Sequence, residues 1–438
     1  MNTSAMNNST PQALKPLFEP ITINKMEVKN RIVMGPMAAN SPAADGTPSD
    51  QTVAFFEERA RGGVGMIIVG GSLATTRAWE ESPFLPALRL DRDDVVKAYR
   101  PMVDAVHRHG TKIIFEATAS FGRMAKPGPG RPDLISASPS RVVIPEDQFA
   151  RGLMVPGGVK TPMAREATVQ EIESIEDGLA ASALRARSAG FDGIEIAAHM
   201  SYFLASFLTP RSNQRTDQYG GPRENRARIL VNIVRKMRAL VGPDYVIGLR
   251  ISCAEHVPGG QGVEEYAQIA ALVEQAGIDY VAMVDGCYES MKESAAGEDG
   301  TQLNYGEPPV FKKALTIPTL LSNAHDPYLS AKAIGSGVAD MTMLARQMLA
   351  DPEYANKVRT GAVDSVVRCH RDNLCMRRMI MGMPVRCEAN PRMGRESRQP
   401  GQMPPMDRLV KAPIEQVVLR VTASPAVMRL AVRLKGSS

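Results

Sequence analysis

No apolar run in this sequence approaches the roughly 20 residues needed to cross a bilayer. Its N-terminus, MNTSAMNNSTPQALKP, lacks the charged-then-apolar order of a secretory signal. These two absences predict a cytoplasmic protein without a transmembrane segment. There is no zinc-finger spacing, no RNA-binding signature and no long basic run. The net charge of +5 comes from 52 basic and 47 acidic residues scattered through 438, a mild excess that disfavours a nucleic-acid binder. No G-x-G-x-x-G follows an early strand-like segment, so a doubly wound open sheet loses its main support. Cysteines number only five, Cys253, Cys287, Cys369, Cys375 and Cys387, an odd count with the last three crowded together. In a large, reduced chain that crowding suggests metal or redox chemistry more than disulfides.

What is present is a recurring unit. Short apolar or β-branched runs occur at Arg31–Met37, Gly65–Gly70, Lys112–Ala117, Gly193–Ala198, Tyr245–Ser252, Asp279–Val284, Pro318–Ser322 and Asp340–Ala345, each followed by a helix-period stretch. Continuous apolar runs separated by helices are the pattern of parallel strands buried on both faces. Eight β/α units in about 320 residues predict an α/β protein, a (β/α)8 TIM barrel carrying insertions. Glu171–Gly190, Glu224–Leu240 and Glu264–Gly277 read as helices, two of them ending in glycine just before a strand. The third connection, Gly122 to Thr168, is long and rich in Pro and Gly. At the C-terminal face of a barrel, such a loop reads as a substrate-covering excursion or as a disordered insertion.

Strand ends are where barrels carry chemistry. The first run ends at a rigid Gly-Pro-Met bend, Arg250 interrupts the fifth apolar run, and Arg346 follows the eighth and opens a short helix. A charge inside an apolar strand must be paired or face a ligand, and an arginine beside a helix N-terminus is a ready phosphate site. Spacing alone leaves structural arginine pairs equally open.

The stretch Tyr202–Gly221 (YFLASFLTPRSNQRTDQYGG) resembles the old yellow enzyme, or NADH:flavin oxidoreductase, superfamily, and Leu17–Met37 and Leu344–Glu353 (LARQMLADPE) are similar to it in the right order. The likeness covers roughly residues 16 to 396. It implies FMN at the top of the barrel, with Pro36, Met37 and Ala38 against the flavin, Gly71 at its other edge and Arg250 at its N1/C2=O end. It implies that Asn323, Ala324, Ala345 and Arg346 hold the phosphate. Glu116 stands where the superfamily has a glutamine that hydrogen-bonds the flavin pyrimidine, and a carboxylate donates only when protonated. Tyr202 falls on the catalytic tyrosine that protonates the carbon beside the one receiving hydride from flavin N5. The histidine and the Asn or His that bind a substrate carbonyl are replaced by Ala197 and Met200. His199 either assumes that work or points elsewhere, and Tyr288 is a second candidate polar contact with substrate.

Cys369–Cys387 reads C-H-R-D-N-L-C, eleven residues, C, and then EANPRMGRE. This resembles the iron–sulfur branch of the superfamily, which includes 2,4-dienoyl-CoA reductases and trimethylamine dehydrogenase. One variant of that branch has the spacing C-x2-C-x2-C-x11–12-C. Cys369, Cys375 and Cys387 match three of those ligands, Asp372 replaces the second, and His370 is read as a bystander. The resemblance implies a [4Fe–4S] cluster with a carboxylate ligand, or a [3Fe–4S] cluster. Cysteines packed merely as small hydrophobes are the alternative. Relatives in this branch continue into nucleotide-binding domains, so electrons here are expected from NAD(P)H directly or from a separate electron-transfer protein.

The chain thus divides into a flexible N-terminus (1–16), an FMN-binding barrel (17–360), a cysteine segment (361–396) and a tail (397–438) open to docking on the barrel, a partner or a membrane surface. The expectation is an FMN-dependent oxidoreductase, a homo-oligomer acting on a small molecule. Reduction of an activated C=C bond leads. Dehydrogenation of an amine or saturated ring, and a non-catalytic electron-relay subunit, are the alternatives.

Overall fold

The computed structural model describes residues 10–39, 41–83, 85–145, 160–293, 298–398, 412–421, 424 and 427. Eight strands lie where the apolar runs fall: β1 (Ile32–Met34), β2 (Met66–Val69), β3 (Lys112–Ala117), β4 (Gly193–Ala198), β5 (Val246–Ser252), β6 (Tyr280–Val284), β7 (Thr319–Ser322) and β8 (Met341–Leu344). Each pairs in parallel with the next, and β8 pairs with β1, so the sheet closes into a barrel. Closure explains the composition. Strands covered by helices outside and by one another's side chains inside have no wet face, and the pattern is apolar at nearly every position.

Local chemistry sets the helix boundaries. Val169–Ala189 begins with a capping box, in which Thr168 Oγ1 accepts from the Glu171 amide and the Glu171 carboxylate accepts from the Thr168 amide. It ends at Gly190, whose φ of +95° gives the left-handed turn into β4. Inside the barrel, Val33, Ile68, Ile114, Leu320 and Met341 form a buried layer, and a hairpin of Ile21–Ile23 with Met26–Val28 packs Ile23 and Val28 against it. Gly248 is required at mid-barrel, because a Cβ there would lie 2.1 Å from the Tyr280 ring. The chain packs from Gln12 rather than from residue 17, because Leu14 and Leu17 are fully buried in a short 3-10 helix.

The third connection is anchored where it leaves and returns. Ile135–Ser136 pairs with Arg165–Glu166, and Arg215 donates to the carbonyls of Ala137 at 2.9 Å and Ala167 at 2.7 Å. Its centre, 146–159, lies outside the described residues. The cysteine segment is packed onto the barrel mouth. Arg59, itself buried, donates to Glu396 at 2.7 Å, Asn390 donates to the Leu349 carbonyl at 2.8 Å, and Met393 is fully buried. Most of the tail lies outside the described residues, but the helix Ala412–Val421 is tied to the cysteine segment by an Arg378–Glu415 ion pair. Among the described residues no helix is long and apolar enough to cross a membrane.

Candidate active site

At the C-terminal ends of the strands lies a cavity of about 280 Å³, walled by side chains from all parts of the barrel and by Cys375, Met376 and Met379 of the cysteine segment. Pro36, Met37, Ala38, Gly71, Glu116, His199, Tyr202, Arg250, Tyr288, Asn323, Ala345 and Arg346 all line it. Ala324 does not; its side chain is fully buried in the core behind Asn323. Beside the cavity the ends of the first two strands approach closely, since a Cβ on Gly70 would lie 2.4 Å from the Met37 amide nitrogen. Gly71, at φ +67°, would put its Cβ 2.6 Å from that of Ala38. Only glycine fits at Gly71, which lines the cavity beside Pro36, Met37 and Ala38.

Two guanidinium groups serve the cavity. Arg346, following β8, is buried and donates to Asn373 at 3.0 Å. Arg250, two residues before the end of β5, contacts the Met343 sulfur at 3.2 Å and leaves a buried Nε without a hydrogen-bond partner. Its nearest anions are Glu116, 3.7 Å away, and Glu195, 4.0 Å away. These glutamates are register partners on adjacent strands β3 and β4. Burial pushes the Glu116 carboxyl up to about 7 against the pull of Arg250. Burial pushes Glu195 up to about 8, with Arg250 opposing and Glu116 reinforcing. Glu195 keeps one hydrogen bond, from the Tyr280 hydroxyl at 2.9 Å. Two carboxyls sharing one cation in a dry site hold a proton between them near neutrality.

On the opposite side, the hydroxyls of Tyr202 and Tyr288 are 2.8 Å apart. Burial holds Tyr202 well above its ordinary range, and Tyr288 reinforces the shift; burial pushes Tyr288 up to about 12. Both phenols are therefore protonated at neutral pH. Phe121 and His199 stand edge-on to the Tyr202 ring at 5.3 and 5.6 Å. His199 faces the cavity with a buried Nδ1 that has no partner, and burial beside Arg250 holds the ring well below its usual range, hence neutral. The two tyrosines ride on loops locked together. Ser201 donates to Glu289 at 2.7 Å and accepts from the Tyr288 amide at 3.2 Å, while Arg211 bridges Glu289 and Glu255 at 3.0 and 2.8 Å.

Cys375 is in the cavity wall, whereas Cys369, Asp372 and Cys387 stand behind it. The four are close enough to act on one another: burial pushes the Cys375 thiol up to about 12, Arg346 opposes, and Cys369, Asp372 and Cys387 add to the rise. Asp372 also caps the Leu374 amide at 2.8 Å and lies within 4.8 Å of ligand atoms of His370 and Glu388.

The sequence profile of the NADH:flavin oxidoreductase / NADH oxidase family matches residues 16–365. The chain belongs to that family. It is 33% identical over 95% of its length to the NADH oxidase of Thermoanaerobacter brockii, and 32% identical over 87% to the cinnamate reductase of Clostridium sporogenes. It covers 61% and 58% of those two proteins, so it spans about six-tenths of their length. Among solved structures, a 2-naphthoyl-CoA reductase complexed with 2-naphthoyl-CoA superposes with a TM-score of 0.78 at 26% identity, over 88% of this chain and 58% of that one. Family membership makes FMN the cofactor to test against the cavity, and the cavity fits: a wall of Pro36, Met37, Ala38 and a glycine that admits no side chain, an unpartnered Arg250 nitrogen at one site and buried Arg346 at another.

Reading the sequence missed Asp285, which lines the cavity, and Glu195, which stands 4.0 Å from Arg250 and accepts from Tyr280. Glu195 carried a usable signal, a carboxylate inside the apolar run GIEIAA, of the same kind that drew attention to Arg250.

Proposed function

We propose that this chain reduces an activated C=C bond of a small enoyl or α,β-unsaturated carbonyl compound, with FMN in the barrel mouth. Arg346, Asn323 and Ala345 would hold the phosphate, and Pro36–Ala38, Gly71 and Arg250 the ring. Bound there, FMN supplies two-electron hydride chemistry. The observation that carries the reading is the Tyr202–Tyr288 hydroxyl pair, protonated and facing the same cavity as Arg250. Tyr202 Oη gives its proton to the substrate carbon that must gain one, and Tyr288 Oη holds that phenol in place and can re-protonate it. Neutral His199, with a free ring nitrogen, hydrogen-bonds the polar group of the substrate. Glu116 in its neutral form donates a hydrogen bond, as the amide it replaces would.

Cys369, Cys375 and Cys387, with Asp372, offer three thiolates and a carboxylate, a donor set that suits an iron–sulfur cluster. One observation favours a second reading, dehydrogenation of an amine or saturated ring. Ala197 and Met200 put apolar groups where a carbonyl would need donors, so only His199 among the described residues offers an imidazole to the cavity. Anaerobic half-reactions separate the two. The reduced protein is expected to be reoxidised by an α,β-unsaturated carbonyl compound after reduction with NADH or NADPH. Bleaching of the oxidised protein by secondary amines, with no response to unsaturated compounds, would replace the first reading with the second. Iron and sulfide assays on wild type beside Cys375→Ala test the cluster, which requires both elements in the first and their loss in the second.

A further inference from the structure

Beside the cavity, and unused by the reaction, is a second cluster. Cys253 follows β5, His256 lies in the loop after it, Asp285 follows β6, and Glu307 opens the helix Glu307–Ala314. Cys253, Asp285 and Glu307 are 0%, 1% and 2% exposed, and one ligand atom of each lies within 4.8 Å of the other two. The His256 Nε2 is 3.0 Å from Glu307 and 3.9 Å from Asp285. His256 is thus ion-paired with both carboxylates, yet neither oxygen of Asp285, neither of Glu307, nor the His256 Nε2 makes a well-formed hydrogen bond. Two buried carboxylates facing one imidazole, with no well-formed hydrogen bond among them, are costly, and a native fold retains such groups only where something else satisfies them.

We infer that Cys253, His256, Asp285 and Glu307 form a closed, four-ligand site for a divalent transition ion of the zinc class, adjoining the FMN cavity through Asp285 and separate from the C-terminal cysteines. The donor set decides the class. One thiolate, one imidazole and two carboxylates suit a borderline ion such as Zn²⁺ better than Ca²⁺ or Mg²⁺, which take oxygen alone. Around zinc, tetrahedral ligand atoms stand about 3.3–3.8 Å apart; Cys253, Asp285 and Glu307 already lie within 4.8 Å of one another, and His256 reaches the two carboxylates at 3.9 and 3.0 Å, so closing the site means bringing His256 toward Cys253. Outer contacts are in place. Gln302 donates to the Cys253 sulfur at 3.6 Å while accepting from the Ser322 amide at 2.8 Å, and the Tyr305 ring lies 4.4 Å from that of His256. Such partners orient ligands. Binding would release the Cys253 thiol proton and the proton now shared by His256 and the carboxylates. With four protein ligands the ion has no open position. Its work would be to pin the ends of β5 and β6 and the following helix beneath Tyr288. The inference does not depend on the reaction proposed above.

The test equilibrates the purified, flavin-containing protein with Zn²⁺, strips loosely held metal on a chelating resin, and measures zinc per chain by mass spectrometry. Wild type and Cys375→Ala are expected to retain about one zinc, and Cys253→Ser and Glu307→Gln about tenfold less. Zinc-edge absorption should show one sulfur at about 2.3 Å and nitrogen or oxygen at about 2.0–2.2 Å. Three sulfurs at the edge, or loss of zinc in Cys375→Ala alone, would assign the metal to the C-terminal cysteines and overturn the inference. So would a wild type that retains none, or both site variants retaining it. Glu307→Gln preserves shape, so it decides the matter alone if Cys253→Ser misfolds, and the absorption spectrum of wild type needs no variant.

Discussion

Two pairs of buried glutamates stand at the mouth of this barrel, and their surroundings differ. Glu255 and Glu289 are saturated: Arg211 donates to both, Thr209 and the Gln261 amide donate to Glu255 at 2.7 and 2.9 Å, and Ser201 donates to Glu289. Glu116 and Glu195 share Arg250 at 3.7 and 4.0 Å, beyond hydrogen-bonding range, and Glu195 leaves Oε1 unpartnered. The first arrangement is finished without a ligand; the second is not. A satisfied polar network fixes geometry, whereas an unsatisfied one marks where a further group belongs.

The largest effect expected from this contrast comes from removing each pair's arginine. Arg211→Met strands two carboxylates in a network with no slack, and breaking a buried pair costs about 3–5 kcal/mol. Urea unfolding should show that loss, with flavin content per folded molecule little changed. Arg250→Met should do the reverse. Its carboxyls, at about 7 and about 8, take up protons instead, so stability falls less while bound flavin is lost on gel filtration. Equal stability losses in the two variants would erase the distinction between scaffold and site.

The next effect sharpens the comparison within the site. Tyr202→Phe keeps the ring packing against Phe121 and His199 but removes the proton. Turnover of an unsaturated substrate should fall about 10²-fold or more, while stopped-flow reduction by NAD(P)H is unchanged. A matching drop in both half-reactions would take Tyr202 out of the acid role.

How much of this was legible follows the same division. Eight apolar runs predicted eight barrel strands because burial on both faces leaves a continuous pattern, which periodicity detects. In the motif that carried the resemblance, Tyr202 to Gly221, the part from Thr209 onward is mostly scaffold. Asn213 donates to the carbonyls of Phe207 and Tyr219, Arg215 braces the long third connection, and Arg211 locks the tyrosine loops. The clusters assembled from distant positions were not legible. Cys253, His256, Asp285 and Glu307 come from four separate positions between 253 and 307, and their convergence depends on how β5, β6 and a helix start are placed side by side. Glu116 was visible as a departure, but its charge state was not, because that depends on Glu195 lying opposite it in register.

The smallest effect, and the sharpest, is a difference in sign with pH. Glu116 has its folded value raised from an ordinary 4.5 to about 7, so its contribution to stability is complete below about pH 4.5 and is lost as pH rises through 7. Glu289 is held below its ordinary value because Arg211 and Arg123 outweigh the opposing effect of burial. Its contribution is therefore complete above about 4.5 and is lost as pH falls below that. In flavin-stripped protein, Glu116→Gln should gain on wild type between pH 5 and 8, by on the order of 1–3 kcal/mol. Glu289→Gln should lose to wild type at neutral pH, with the gap closing only in acid. The two difference curves, variant minus wild type, must therefore slope in opposite directions with pH and differ in window and in which protein is ahead. Unfolding free energies measured at four or five pH values suffice to draw them. If the Glu116→Gln curve ran parallel to wild type from pH 5 to 8, that carboxyl would be ionised throughout, and it would have no proton with which to replace an amide.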